Sequence, residues 1–249
     1  MWSETLGYRQ CRLPFTPAFV AALAAAVPFS PRDDVLDLGS GPGEIAVQIA
    51  PLARSVTALD AEQPMLDELA RRAKAAGRDI RRVLARAEGA PLDLGPFKLI
   101  TIANAHQFMH HPGTFDRLNR WLASGGRIAI CRARDGVTQA WPALLREVRR
   151  KWGNDHRGRT RMTAGEFFAD APFDADKKVR VPGRQKIDLD HLLLRAQAYS
   201  TSAPAALGQE KTRAMLEELR TLLLPYFRNG PLVEDFTNEA ELYRRRGDP

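Results

Sequence analysis

Val35-Leu36-Asp37-Leu38-Gly39-Ser40-Gly41-Pro42-Gly43 reads as a buried strand running into a glycine-rich turn. A helical run from Glu44 to Ala50 follows it. A second apolar strand, Ser55-Val56-Thr57-Ala58-Leu59-Asp60, ends on an acid. Strand, glycine turn, helix and acid-tipped strand, in that order, make the front half of a nucleoside-cofactor site.

Upstream of this stretch, residues 16–27 predict a helix with Thr16 as N-cap, Pro17 in the first turn and Pro28 as the stop. Strands are expected at 34–38, 55–60, about 80–85, 97–103 and 127–131. Helices are expected at about 43–52, 65–76 and 115–122. Pro64 opens the second, Gly77 lies just past its end, and Ser124-Gly125-Gly126 closes the third. Strands alternating with helices argue for βαβ units, a parallel sheet and right-handed crossovers. Ligands of such sheets sit beyond the carboxyl ends of the strands, which singles out 39–43, 60–61, 86–89, 103–111 and 131–138.

After residue 135 the alternation stops. Trp141–Trp152, Asp188–Tyr199 and Gln209–Phe227 read as helical, and 153–165 as a polar loop. Lys177–Leu189 has β-like stretches, and Leu232–Tyr243 reads as a last strand. The expected organisation is one continuous domain. Residues 1–135 form a cofactor-binding core with an N-terminal lid segment, and 136–249 supply the rest of the sheet plus a helical substrate cap.

The 249 residues carry a net charge of +7 and a pI of about 9.8. The excess is mostly Arg in short scattered clusters, which reads as a solvated surface rather than a nucleic-acid groove. Two cysteines without Cys-x-x-Cys or Cys/His companions indicate neither a disulfide framework nor a zinc site. No signal peptide and no span of about 20 apolar residues is recognisable, so a cytoplasmic protein without a membrane partner is expected.

The glycine spacing bears on which cofactor binds. A dinucleotide fingerprint needs Gly-x-Gly-x-x-Gly, and Glu44 stands at its sixth position. A glutamate there would crowd helix–strand packing and set a negative charge beside a pyrophosphate. Pro42 also removes an N–H from the cradle. Both points favour a cofactor tail that is cationic and carboxylate together, like an amino acid. Two roles fit Asp37: meeting a cofactor ammonium, or bonding loop N–H groups to hold the turn. Asp60 is placed for the two ribose hydroxyls. Met65 falls where it can cover an adenine face, and Ala87-Glu88 where a residue can meet the adenine edge.

Together these residues resemble a class I S-adenosylmethionine-dependent methyltransferase. The resemblance rests on Val35–Ala46, on Ala58-Leu-Asp-Ala-Glu-Gln-Pro-Met-Leu66, on Ala87-Glu88, on Leu99-Ile-Thr-Ile-Ala-Asn-Ala-His-Gln-Phe-Met109 and on Gly125-Gly-Arg-Ile-Ala-Ile130. It implies a Rossmann-like, doubly wound, mostly parallel seven-stranded sheet, with a helical C-terminal elaboration over the active site. It also implies S-adenosylmethionine as cofactor and S-adenosylhomocysteine as product. The cofactor seat would comprise Asp37, Gly39, Ser40, Gly41, Gly43, Asp60, Ala61, Met65, Ala87, Glu88, Asn104 and Ala105. Tyr8 and Arg12-Leu-Pro-Phe15 are similar to an N-terminal segment that closes over the cofactor in the small-molecule enzymes of this class. Those enzymes carry an Ala-x-His-Trp-Phe-like motif after strand four. Here Gln107 stands at the His position, with His106 before it, and Phe108 replaces Trp.

His106, His110 and His111 follow strand four. His106 and His110 are spaced i, i+4 and would share a helical face. As catalytic candidates they offer a general base near neutral pH. A metal pair is disfavoured, because no Asp/Glu cluster stands beside them. The bland alternative has His106 packed and the other two on a surface loop. The expected reaction is methyl transfer to an O, N or C atom of a small-molecule acceptor. The alternatives are an RNA or protein methyltransferase, and a non-catalytic protein that binds the same cofactor.

Overall fold

The computed structural model describes residues 12–27, 29–136, 140–153, 162–198 and 202–248. In chain order the elements are α1 (Pro17–Ala26), β1 (Asp34–Leu38), α2 (Ala46–Ile49), β2 (Ser55–Asp60), α3 (Gln63–Ala75), β3 (Arg81–Leu84), β4 (Phe97–Ala103), α4 (Pro112–Trp121) and β5 (Leu122–Asp135). There follow α5 (Trp141–Trp152), α6 (Ala164–Phe167), β6 (Phe173–Ile187), α7 (Leu189–Gln197), α8 (Pro204–Leu207), α9 (Gln209–Leu223) and β7 (Leu232–Arg245).

The seven strands form one sheet in the order β3-β2-β1-β4-β5-β7-β6. The pairs among β1 to β5 are parallel. β7 runs antiparallel to β6. Lys178 pairs with Glu241, Arg180 with Glu239 and Arg184 with Asp235, so partners rise along one strand as they fall along the other. The sheet is therefore the doubly wound, mostly parallel, seven-stranded one expected. Strand order reverses between β1 and β4, where such sheets open a crevice at their carboxyl ends.

Local chemistry sets the helix ends. Thr16 Oγ1 accepts from Phe19 N at 3.1 Å and caps α1. α3 begins at Gln63, two residues before the expected Met65, because Pro64 is tolerated inside a first turn. α4 begins at Pro112, where His111 Nδ1 accepts from Gly113 N at 3.0 Å. Ser124-Gly125-Gly126 lies within β5 instead of ending a helix, and a register irregularity between Phe97 and Leu99 accommodates it.

The chain divides into two compact units. A core unit comprises Pro14–Ala133, Arg161–Val181 and Asn238–Pro249. A helical unit comprises Met1–Leu13, Arg134–Thr160 and Pro182–Thr237. In the core unit successive strand residues point to opposite faces. Leu36, Ile100, Ile102, Ile128 and Ile130 pack with Trp121 and Phe167 on one side. Val35, Val56, Ala58, Leu99 and Ala129 pack with Phe19, Leu23, Ile49 and Leu69 on the other. In the helical unit α5, α7 and α9 meet through Trp141, Leu145, Leu192, Met215 and Leu219. There Arg195 donates to both Glu234 oxygens, at 2.6 and 2.8 Å, which aligns α7 with β7. No helix among the described residues is long and apolar enough to cross a membrane.

Candidate cofactor and active site

The turn after β1 is stitched to the tip of β2. Gly39 N and Ser40 N both donate to the Leu59 carbonyl, at 2.8 and 3.1 Å. Gly39 has φ +68°, and a Cβ there would stand 2.7 Å from the Cβ of Ala105. Only glycine fits where the chain leaving β1 passes the chain leaving β4. Gly41 also has a left-handed φ, +52°, but nothing lies within 4 Å of where its Cβ would be. Its backbone faces open space, which suits close approach of a ligand. Gly43 backs onto Leu69 of α3.

Asp60 closes β2 and is 9% exposed. Its Oδ2 accepts from Gly41 N at 2.7 Å and its Oδ1 from Glu62 N at 3.0 Å. Each oxygen keeps a lone pair, which matches a pair of ribose hydroxyls. Burial raises its pKa, against the backbone N–H groups of Gly41 and Glu62.

Asp37 is buried inside β1. Its Oδ1 accepts from Thr101 Oγ1 at 2.7 Å, and its Oδ2 from Ala46 N at 3.1 Å. The bond to a loop N–H is thus made, at the first residue of α2. Thr101 is the register partner of Asp37 across β1 and β4. Burial pushes the Asp37 carboxyl up to about 6, offset by these two bonds and reinforced by the charges of Asp60 and Glu44.

Glu44, at the sixth position of the glycine spacing, directly follows the turn. Its carboxylate pairs with Arg72 Nη1 of α3 at 3.0 Å, and Arg72 also donates to the Pro42 carbonyl at 2.6 Å. The glutamate braces the turn against α3.

The remaining predicted residues lie after the carboxyl ends of β2, β3 and β4, with two exceptions. Ala61 is exposed beside Asp60, and Met65 is buried in the first turn of α3. Ala87 and Glu88 lie on a 3-10 turn after β3, and Ala85 N donates to the Asp60 carbonyl at 3.0 Å. The Glu88 carboxylate accepts from Arg86 Nε at 2.5 Å, which lowers its pKa. Ala105 meets Gly39 as described. Asn104, at φ +54°, is the one non-glycine residue in the left-handed region among the described residues. Such strain gathers at functional sites. Its N–H donates to the Cys131 carbonyl at 3.0 Å, and its own carbonyl accepts from Gln107 Nε2 at 2.9 Å. The exceptions are Arg12, which belongs to the helical unit and donates to the Ala198 carbonyl at 3.1 Å, and Tyr8, which lies outside the described residues.

The three histidines part company. His106 is buried, 1% exposed, on a 3-10 turn over 106–108. Its Nε2 stands 2.8 Å from Arg132 Nη2 and 2.9 Å from the Met162 carbonyl, and Arg132 Nη2 donates to that carbonyl at 2.7 Å. Arginine only donates, so Nε2 either accepts a hydrogen bond from Arg132 or, as N–H, donates to the Met162 carbonyl beside it. In both cases Nε2 is engaged within the triangle. No α-turn joins His106 to His110, yet both rings pack on Phe167, at 5.6 and 5.8 Å between centroids. His110 is exposed, and His111 is the N-cap of α4. Among the described residues no group of three or more His, Cys, Asp or Glu could hold a metal ion.

Sequence reasoning missed Thr101, Arg72 and Arg132. A polar residue inside the apolar run Leu99–Ala103 was a signal for the first. The other two act through the fold alone.

Two observations test the fit to S-adenosylmethionine. Ser40 is buried, and its Oγ has no partner among the described residues. Buried polar atoms are nearly always paired, so a spare hydroxyl beside the turn fits a polar ligand. The unfilled space at Gly41 fits one that approaches the backbone. Asp60, Ser40 and Gly41 together suit a ribose and an amino-acid tail.

Residues 35–126 match the family model described as "Methyltransferase domain". A curated demethylmenaquinone methyltransferase of Thermus thermophilus is 36% identical over 100 residues, 39% of this chain. The matched stretch spans 45% of that relative's length. A putative type II methyltransferase from Anaeromyxobacter dehalogenans shares the fold with a TM-score of 0.67 at 18% identity, covering 96% of this chain and 99% of its own. A methyltransferase from Thiobacillus denitrificans, solved with S-adenosylhomocysteine, gives 0.56 at 19% identity, with 98% of each chain covered. The family match falls on the strands and turn that build this site, so this stretch of the chain is similar to a methyltransferase domain.

Proposed function

We propose that the chain moves a methyl group from S-adenosylmethionine to an O, N or C atom of a small-molecule acceptor by in-line displacement. The donor, when bound, supplies a methyl group already activated on a sulfonium. The protein's main task is therefore alignment. Asp60 uses its two remaining lone pairs on the ribose hydroxyls. Residues 39–43 receive the amino-acid tail, with Ser40 Oγ as a further polar contact. Asp37 faces the ammonium, directly or through water. Ala61, Met65, Ala87 and Glu88 border the adenine, and Asn104 and Ala105 close the seat from β4. Tyr8 and Arg12 join this assignment through the resemblance alone.

A general base is required only for an acceptor that keeps its proton. His106 and His110, the two imidazoles on Phe167, are assigned to that step. His110 presents an exposed ring, whereas Nε2 of His106 is already engaged. The demethylmenaquinone methyltransferase relative supports a small-molecule acceptor.

The observation that carries the reading is the carboxylate of Asp60 held against the Gly41 backbone at the strand-order switch. Two charge-assisted hydrogen bonds are worth about 1.5–3 kcal/mol each. Asp60→Ala should therefore weaken S-adenosylhomocysteine binding by about two to four orders of magnitude in calorimetry. Unchanged affinity sinks the ribose assignment. Formation of S-adenosylhomocysteine with a methylated product, across a metabolite panel, tests the reaction itself.

A further inference from the structure

Gln48 lies on α2, just past the glycine turn, and its amide is used unusually. Nε2 donates twice, to the Glu44 carbonyl at 2.6 Å and to the Phe15 carbonyl at 2.9 Å. The first bond closes on the residue that ends the turn. The second reaches the segment leading into α1. Asn238 of β7, fully buried, moors that segment again. It donates Nδ2 to the Pro14 carbonyl at 2.9 Å and accepts from Thr16 N at 3.0 Å. Three consecutive residues are thus held by their backbone atoms. Gln48 Oε1, by contrast, is buried with no partner among the described residues. The two donor bonds alone orient the amide, and the unsatisfied oxygen is a cost that an apolar side chain would avoid. Filling space does not explain this residue.

We propose that Gln48 is a positioning residue of the cofactor seat. By tying Glu44 to Phe15 it fixes the exit of the glycine turn. That in turn holds the Gly41 backbone where it meets both Asp60 and the ligand. The inference rests on the assignment of this seat to S-adenosylmethionine.

The test is S-adenosylhomocysteine binding to the full chain by calorimetry, well below each variant's melting temperature. Gln48→Met keeps the length and removes both donors. Gln48→Glu keeps the shape and sets a carboxylate against two carbonyl oxygens. Gln48→Lys restores donors of similar reach. Affinity should fall about tenfold in the Met variant, the loss of one to two neutral hydrogen bonds, and further in the Glu variant. It should recover in the Lys variant, with cooperative unliganded melts in all three. Should the Glu variant fail to fold, the Met variant carries the test. Lowered melting temperatures with affinity unchanged within twofold would overturn the proposal and leave Gln48 a structural residue. Wild-type protein that binds no S-adenosylhomocysteine would overturn the seat itself, which is a separate failure.

Discussion

The glycine turn and the histidine corner lie past the ends of adjacent strands, β1 and β4, yet they are built in opposite ways. At the turn, carboxylates meet backbone N–H groups a short way along the chain. Asp37 reaches Ala46, nine residues on, and Asp60 reaches Gly41, 19 residues back. At the corner, an imidazole meets groups from far away, Arg132 at 26 residues and Met162 at 56. Every residue but proline offers an N–H, so acids and glycines in the right order are enough to announce the first arrangement. The second depends on which side chains the completed fold brings together.

The sharpest way to break this comparison is within the turn. Gly39→Val adds a side chain where Ala105 already stands and forces it to a left-handed φ. Overpacking costs about 1–3 kcal/mol and the backbone strain a similar amount, so urea unfolding should show a loss on the order of 4 kcal/mol, or no folded protein. Gly41→Ala carries only the φ term, about 1–2 kcal/mol. Equal losses at the two positions would mean the turn is not pressed against β4.

Asp37 gives the next effect, and its sign follows from burial. Its native pKa of about 6 lies above its ordinary 3.8. The native state therefore binds this proton more tightly than the unfolded chain. The group's contribution to stability falls as pH rises from about 4 to about 6, and stays low above that. The full swing is on the order of 3 kcal/mol. Asp37→Asn removes the slope, so urea midpoints should show the variant gaining on wild type from pH 4 to pH 7. If Asp37 meets the cofactor ammonium as proposed, S-adenosylhomocysteine should also bind the variant more weakly. A stability gap that does not change with pH would contradict the burial argument.

The histidine corner supplies the smaller effects. Arg132→Ala removes a charged donor from the Met162 carbonyl and from His106, and should cost about 2 kcal/mol in chemical unfolding. His110→Ala, at an exposed ring, should change stability by about 0.5 kcal/mol or less. His106→Ala sharpens the functional side once an acceptor is known. Turnover falling more than cofactor affinity marks a base, and equal losses mark a packing residue.

The strands of the core were legible because their apolar runs are short and end on glycine or polar residues. β1, β2 and β4 end where Gly39, Asp60 and Asn104 suggested. The starts of α3 and α4 were less legible. Pro64 read as the opening of one helix and the next was expected from 115, whereas α3 begins at Gln63 and α4 at Pro112. β5 was read too short, since Gly125-Gly126 signals a turn in sequence and is absorbed into a strand by pairing with β4. Asp60 and the glycines were recognisable from order and spacing. The brace from Arg72 to Glu44, the Asp37–Thr101 bond and the Arg132 triangle were not, because each joins residues whose proximity is a property of the sheet.

The central claim is that Asp60 and the 39–43 turn seat the methyl donor. A crystal structure of the complex with S-adenosylhomocysteine tests it most directly. Both ribose hydroxyls should lie on the Asp60 carboxylate, with the amino-acid tail against the backbone of Gly39 to Gly43. A ligand bound elsewhere, or ribose hydroxyls that leave Asp60 touching only Gly41 and Glu62, would contradict it.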